Sequence, residues 1–392
     1  MLWGILVPVV GWIALAAVIW VGHGVILTWT HNFFYGRVHS RWLADFFQLL
    51  HGLLLVLPPF LWACLGPSFY QGEWDTPWGR VAIAHGIICL FALPVLLLVT
   101  WRRWARVNPP GVRLENRERL DPGECPQARL GGAGLRNWLA HLKFNETLHP
   151  EIVEYSLELP NLPPAWDGLR LMHLSDLHFH GTPEREWYQW VLEQGMRREP
   201  DLVVCTGDLV DGTHFHQWIG GTLGRLKWRE HALVVLGNHD SWYGPDSLRK
   251  DLKRLGFKDL GNRWQVIQVR GEPMVVGGIE SPWFAGEPNL EDAPAGIFRL
   301  LLAHTPDHLA WAAKHQVDLM FAGHVHGGQV CLPAFGPLVM PSRHGRSLDR
   351  GWFQQGKTRL YVSKGLGGTH PVRWNCPPEV MLLTLRTGGK KP

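Results

Sequence analysis

Leu202-Val203-Val204-Cys205-Thr206-Gly207-Asp208-Leu209-Val210-Asp211-Gly212 reads as a short strand that ends in a polar turn. Its apolar residues are continuous rather than alternating, the pattern of a strand covered on both faces. Glycine beside the carboxylates lets the backbone turn sharply and leaves room for a ligand. The same succession recurs along the chain. Residues 169–174 run into Ser175-Asp176-Leu177-His178, and 232–236 into Gly237-Asn238-His239-Asp240. Residues 300–303 run into His304, and 319–321 into Ala322-Gly323-His324-Val325-His326-Gly327-Gly328. Stretches 274–279 and 360–362 read as further strands, and 184–198, 246–255 and 306–315 as helices. Apolar strands interspersed with helices predict an α/β domain from about residue 151.

Carboxylate, imidazole and amide oxygen are ligands suited to manganese, iron or zinc. Ligands at the ends of neighbouring strands converge on one crevice, where α/β sheets bind their ligands. A lone Asp-x-His is common, and a lone buried histidine is usually a satisfied core residue. Five such elements in order, each after an apolar strand, point instead to one site. Metal bound there would lower the pKa of water and make hydroxide available near neutral pH. No covalent nucleophile is needed, and the chain has no G-x-S-x-G elbow.

The order D-x-H, G-D-x-x-D, G-N-H-D, H, G-H-x-H resembles the calcineurin-like metallophosphoesterases, over approximately residues 151–385. The resemblance implies a four-layer α/β/β/α sandwich and two divalent metal ions that share a carboxylate. One ion would be held by Asp176, His178, Asp208 and His326, and the other by Asp208, Asn238, His304 and His324. Manganese is the first expectation, with iron or zinc as alternatives. His239 matches the family's leaving-group acid, paired with Asp211. The implied activity is cleavage of a phosphodiester or pyrophosphate bond by metal-activated hydroxide. Gly327-Gly328-Gln329 and the tail from Gly365-Leu366-Gly367 to Asn375-Cys376-Pro377-Pro378-Glu379 look like a bacterial branch of membrane-associated or exported phosphodiesterases.

One departure matters. Protein phosphatases of this superfamily follow the second Asp with Arg-Gly, whereas Asp211 is followed by Gly212 and Thr213. That counts against a protein phosphatase and leaves the phosphate-binding cation open among Arg343, Arg346 and Lys364. His180, His214 and His216 are candidates to line the cleft, and Trp283 and Phe284 to wall it. Asp240 reads as a structural hydrogen-bonding partner.

Composition shifts near residue 101. Of the 392 residues, 46% are hydrophobic and only 18% charged, where about 25% charged is usual for soluble domains. Before residue 101 there is no lysine, and the charges are Arg37, Arg41, Asp45, Glu73, Asp75 and Arg80. Stretches 2–28, 43–65 and 81–101 each reach the roughly 20 apolar residues that a membrane helix needs. The domains expected are a transmembrane region of about three helices (1–101), a basic juxtamembrane linker (102–150) and the phosphoesterase domain (151–388). The linker includes the Gly-rich patch at 131–134. Basic Arg37 and Arg41 after the first span, and Arg102, Arg103 and Arg106 after the third, put the catalytic domain on the cytoplasmic side of a bacterial membrane. His23, His51 and His85 read as neutral rings bonded between helices, with haem ligation or proton relay as the functional alternative.

A net charge of +4 calls for no nucleic acid partner. Six scattered cysteines without a CxxC pair fit a reducing compartment rather than a disulfide scaffold. Tethering favours a substrate at the bilayer, lipid-linked or nucleotide-linked. The competing readings are a membrane sensor or transporter-like protein with the phosphoesterase as effector, and a phosphomonoesterase or protein phosphatase.

Overall fold

A computed structural model of the chain describes residues 2–35, 38, 40–70, 75–125, 134–160, 162–337 and 339–388. Arg37, Glu73 and residues 131–133 of the glycine patch lie outside the described residues. The chain divides into two compact units, Met1–Arg106 with Gly345–Ser347, and Val107–His344 with Leu348–Pro392.

The first unit holds three long helices, α1 (Leu2–Tyr35), α2 (Arg41–Tyr70) and α3 (Pro77–Trp104). Helix α3 starts cleanly because Thr76 Oγ1 accepts from the Gly79 amide (3.0 Å) and Pro77 needs no amide partner. Among the described residues two helical stretches, Val10–Phe34 and Pro77–Trp104, are long and apolar enough to cross a membrane. Three were expected. Helix α2 forms as anticipated and carries Arg41, Asp45, Gln48 and His51 in its first three turns.

The histidines of this unit link helices. Trp62 Nε1 donates to His85 Nδ1 (3.1 Å), His85 Nε2 lies 3.1 Å from His23 Nδ1, and His23 Nε2 lies 2.8 Å from the Leu54 carbonyl. With Nδ1 accepting from Trp62, the His85 proton sits on Nε2, and each ring donates to the next acceptor. Two neutral rings satisfy the whole chain. His51 Nδ1 reaches the Phe47 carbonyl at 2.7 Å, and its Nε2 lies 3.3 Å from Thr30 Oγ1.

The second unit opens with β1 (Val112–Arg119), α4 (Leu135–Ala140), β2 (Glu151–Leu159), β3 (Arg170–Leu174), α5 (Arg185–Met196) and β4 (Leu202–Cys205). Then come α6 (His216–Gly221), β5 (His231–Val234), α7 (Asn238–Trp242), α8 (Pro245–Arg254), β6 (Phe257–Asp259), β7 (Trp264–Val269) and β8 (Glu272–Ile279). It closes with β9 (Arg299–Ala303), α9 (Leu309–Lys314), β10 (Leu319–Ala322), β11 (Cys331–Leu332), β12 (Gly336–Pro337), β13 (Gly351–Gln355), β14 (Thr358–Val362) and β15 (Glu379–Thr387).

Two mixed sheets result, ordered β1-β2-β15-β3-β4-β5-β6 and β13-β14-β10-β9-β8-β7. Strands β3 to β6 run parallel, as do β8, β9, β10 and β14, so their C-terminal ends share an edge within each sheet. The sheets share one core, where Leu171, Val204 and Leu233 pack with Val276, Leu302 and Phe321. Helices α5 and α8 cover the outer face of the first sheet, placing Val191 and Leu252 in one cluster with Met172, Val203 and Ala232. On the second sheet Leu309 and Ala312 of α9 pack with Leu301 and Met320. Both faces of these strands are therefore buried, and no alternation survives in their sequence.

The stretch 102–150 differs from a plain linker. Strand β1 pairs antiparallel with β2, Val112 opposite Leu157 and Arg119 opposite Glu151. It is an edge strand, and its charges (Arg113, Glu115, Arg117, Glu118 and Arg119) blunt the open edge while disguising it as a solvated segment.

Candidate metal centre

Five of the parallel strands, β3, β4, β5, β9 and β10, deliver the pieces of a crevice at their C-terminal ends. Asp176 and His178 follow β3, and Asp208 and Asp211 follow β4. Asn238 and His239 open α7 after β5, His304 follows β9, and His324 and His326 follow β10. Parallel pairing persists past the strands, with Asp176 N bonded to the Gly207 carbonyl and His178 N to the Asp208 carbonyl, each at 2.9 Å. Five of these residues take the left-handed conformation: Asp176 (φ 53°), His178 (45°), Asp208 (53°), His324 (70°) and His326 (51°). Non-glycine residues there cost about 1–3 kcal/mol each and gather where function requires them. Two glycines make the close approach feasible. A Cβ on Gly237 would overlap Asp208 Oδ1, and one on Gly323 would overlap Ser175 Oγ and Asp176 Oδ2.

All seven expected metal ligands come together, along with the expected acid pair. Asp208 Oδ2 lies 3.2 Å from His304 Nε2 and 3.5 Å from His178 Nε2, between the two halves. His326 Nε2 is 3.1 Å from His178 Nε2 and 3.7 Å from Asp176 Oδ1. On the other side His304 Nε2 is 3.0 Å from Asn238 Oδ1 and 3.2 Å from His324 Nδ1. Asp176, His178, Asp208, Asn238, His304 and His324 are all buried.

The donor chemistry of this set suits cations. His178 Nδ1 lies 2.9 Å from Asp211 Oδ1, and His304 Nδ1 lies 2.6 Å from the Thr206 carbonyl, so each Nδ1 carries the proton. Each Nε2 lone pair then points at further acceptors, an arrangement that calls for a cation between them. Failing that, only protonation relieves it. Burial opposes the charge on both rings, yet Asp211 raises His178 to about 9, and Asp208 raises His304 to about 9. Burial also opposes ionisation of Asp208, but His304 and His239 hold it well below the usual carboxylate range. Burial pushes Asp176 up, and it pushes His324 and His326 well down, which keeps those two rings neutral and ready to ligate.

His239 stands slightly apart. Its Nδ1 lies 2.7 Å from Asp211 Oδ1, its amide donates to Asp208 Oδ1 (2.8 Å), and its ring centroid is 4.6 Å from that of His178. Asp211 thus serves His178 and His239 through one oxygen. Asp240 accepts from the Leu209, Val210 and Gly237 amides at 2.8, 3.2 and 2.9 Å, the structural role expected of it.

Other sequence candidates separate. Trp283 reaches the crevice, its ring 4.8 Å from His324 and 5.3 Å from His304, whereas Phe284 stacks under Arg249. His180 Nε2 bonds the Gly368 carbonyl (2.7 Å) and His216 Nε2 the Tyr243 carbonyl (2.7 Å), while His214 packs on Phe215. Lys364 is not a substrate cation, because its buried Nζ lies 2.8 Å from Glu151 and 3.2 Å from Glu379. Arg343 is exposed, and Arg346 lies in the short turn Gly345–Leu348. Sequence reasoning missed Arg373. Fully buried, it donates to the Cys376, Gly365 and Gly367 carbonyls, while the Gly367 amide bonds the Asp176 carbonyl at 2.7 Å. Its signal was the tail that ends in Asn375-Cys376-Pro377-Pro378-Glu379, noticed but given no role.

Comparison with known proteins identifies the family. The profile of the calcineurin-like phosphoesterases matches residues 169–328. The chain is 30% identical over 247 residues to "Uncharacterized metallophosphoesterase YkuE" of Bacillus subtilis, covering 60% of this chain and 86% of that one. It is 29% identical over 222 residues to "Phosphodiesterase YaeI" of Escherichia coli, covering 55% and 82%. It is also 29% identical over 205 residues to a "Transmembrane protein with metallophosphoesterase domain" of Danio rerio, covering 47% and 46%. The chain therefore belongs to the calcineurin-like metallophosphoesterases, and it is a metal-dependent phosphoester hydrolase.

Proposed function

We propose that the chain is a membrane-anchored dinuclear phosphohydrolase that cleaves a phosphodiester or pyrophosphate bond. The observation that carries this reading is the pair of lone-pair faces at His178 Nε2 and His304 Nε2, which meet across Asp208 Oδ2. Asp176, His178, Asp208 and His326 hold one divalent ion, and Asp208, Asn238, His304 and His324 the other. The donor set lacks thiolate and suits manganese first, with iron or zinc as alternatives. When bound, the ions neutralise phosphoryl charge and supply a water acidic enough to attack near neutral pH.

The chain's own residues do the rest. Asp211 orients His178 and His239, and His239 protonates the leaving oxygen. Gly212 and Thr213, where protein phosphatases carry Arg-Gly, add no charge for a dianionic monoester. That favours a monoanionic diester over a monoester, and the E. coli relative is named a phosphodiesterase. The reading divides the chain into a multi-pass anchor (1–101), a juxtamembrane stretch (102–150) and a four-layer α/β/β/α phosphoesterase domain (151–388). Two apolar helical stretches and the basic Arg102, Arg103 and Arg106 support an anchor in a bacterial cytoplasmic membrane, with the catalytic domain on the cytoplasmic side. Tethering to a bilayer favours a lipid-linked or nucleotide-linked substrate. Parallel assays on bis-p-nitrophenyl phosphate and p-nitrophenyl phosphate test the bond. A diester preference of at least about tenfold is expected from the charge argument, and a monoester preference contradicts it.

A further inference from the structure

Within residues 135–144 three large apolar side chains stand in solvent: Leu135 at 70% exposure, Trp138 at 61% and Phe144 at 56%. Leu135 and Trp138 are three apart on α4 and share a face. Arg136 and Lys143 are exposed among them. Aromatic and aliphatic groups interleaved with basic ones make the chemistry of an anionic bilayer interface, where rings sit at headgroup level and cations meet lipid phosphates.

The segment is fastened to the metal centre. Buried Asn145 donates from Nδ2 to the Leu139 and Pro371 carbonyls, both at 2.6 Å, and its Oδ1 accepts from the Arg373 amide at 3.0 Å. The loop so held runs on to the Gly367 amide that bonds Asp176, and to Cys376, whose thiol donates to the His326 carbonyl at 3.3 Å. Arg136 itself donates to His180 Nδ1 at 3.0 Å, two residues from His178. The exposed segment thus stands at the rim of the crevice.

We infer that residues 135–144 form a foot that seats the catalytic unit on an anionic bilayer surface, so that the crevice meets phosphodiesters at headgroup level. The inference rests on the membrane-anchored reading above. The same chain carries Val10–Phe34 and Pro77–Trp104, long and apolar enough to cross a membrane.

The test uses the full chain in nanodiscs of phosphatidylcholine with or without phosphatidylglycerol. Leu135→Cys is labelled with an environment-sensitive fluorophore, and labelled wild type is subtracted as background. Headgroup-level doxyl lipid is expected to quench the label at least about twofold in phosphatidylglycerol discs, and less after Lys143→Gln. Trp138→Gln is expected to weaken quenching while bis-p-nitrophenyl phosphate turnover stays within about twofold, since the residue touches interface and not substrate. Emission that stays water-like in both discs overturns the foot, as does a shift that appears only as protein concentration rises, the mark of a second copy. Failure of the phosphoesterase reading shows separately, as diester hydrolysis that survives Asp208→Asn.

Discussion

Asp211→Asn exchanges one carboxylate oxygen for an amide with almost no change of volume. Oδ1 lies 2.7 Å from His239 Nδ1 and 2.9 Å from His178 Nδ1, and the side chain is nearly buried. Burial opposes its charge, yet His178 and His239 hold the carboxyl well below the usual range. One charge-assisted hydrogen bond to His178, of about 1.5–3 kcal/mol, and one close ion contact to His239 are at stake. The two losses differ in kind. Weaker orientation of His178 lowers metal affinity by about 10–100-fold, as for other supports of metal-binding imidazoles. Weaker support of protonated His239 removes general acid catalysis, worth about 10²–10⁴ in rate. Saturating manganese isolates the second effect. An alkyl diester, whose leaving oxygen needs a proton, should then lose at least about 10² in kcat, within the range of general acid catalysis. Bis-p-nitrophenyl phosphate, whose leaving group departs unprotonated near neutral pH, should lose less than about tenfold. Equal fractional losses on both substrates at saturating metal would refute the pairing of Asp211 with a leaving-group acid.

Two further perturbations follow from the geometry. Lys364→Met leaves buried Glu379 without its cation and Glu151 with only Arg117 at 3.8 Å, and should destabilise the catalytic unit by about 3–5 kcal/mol, read as a drop in Tm. Burial raises Glu379, but Lys364 and its hydrogen bonds hold it below its usual 4.5, so its contribution is present above that pH and lost as pH falls through the folded value. The Tm deficit of the variant should therefore be widest above pH 4.5 and shrink below it; a pH-independent deficit would count against the pairing. Gly323→Ala places a methyl group against Ser175 Oγ and Asp176 Oδ2. Bound metal, measured by elemental analysis, should fall below the wild-type content while circular dichroism stays unchanged, and undiminished metal would show that Asp176 needs no such clearance.

Most of the crevice was legible because its residues are local to strand ends. Asp176, His178, Asp208, Asn238, His304, His324 and His326 each follow an apolar run, and each run is a strand. Those runs are apolar throughout because α5, α8 and α9 cover the faces turned away from the shared core. Strand β15 escaped because it depends on a distant partner. It inserts between β2 and β3, parallel to one and antiparallel to the other. Strand β1 escaped because its exposed charges mimic a linker. The left-handed backbone at Asp176 and His326 leaves no mark on the sequence. Arg373 and Asn145 act through backbone carbonyls far along the chain, and no spacing rule finds such contacts.

The central claim is that Asp208 joins two metal sites in one phosphoesterase crevice. The most direct measurement is hydrolysis of bis-p-nitrophenyl phosphate by the detergent-purified full chain with added manganese, wild type beside Asp208→Asn. The account predicts turnover in wild type and a loss of about 10³ or more in the variant, since the carboxylate serves both ions and its amide carries no charge. Equal turnover in the two proteins would contradict it.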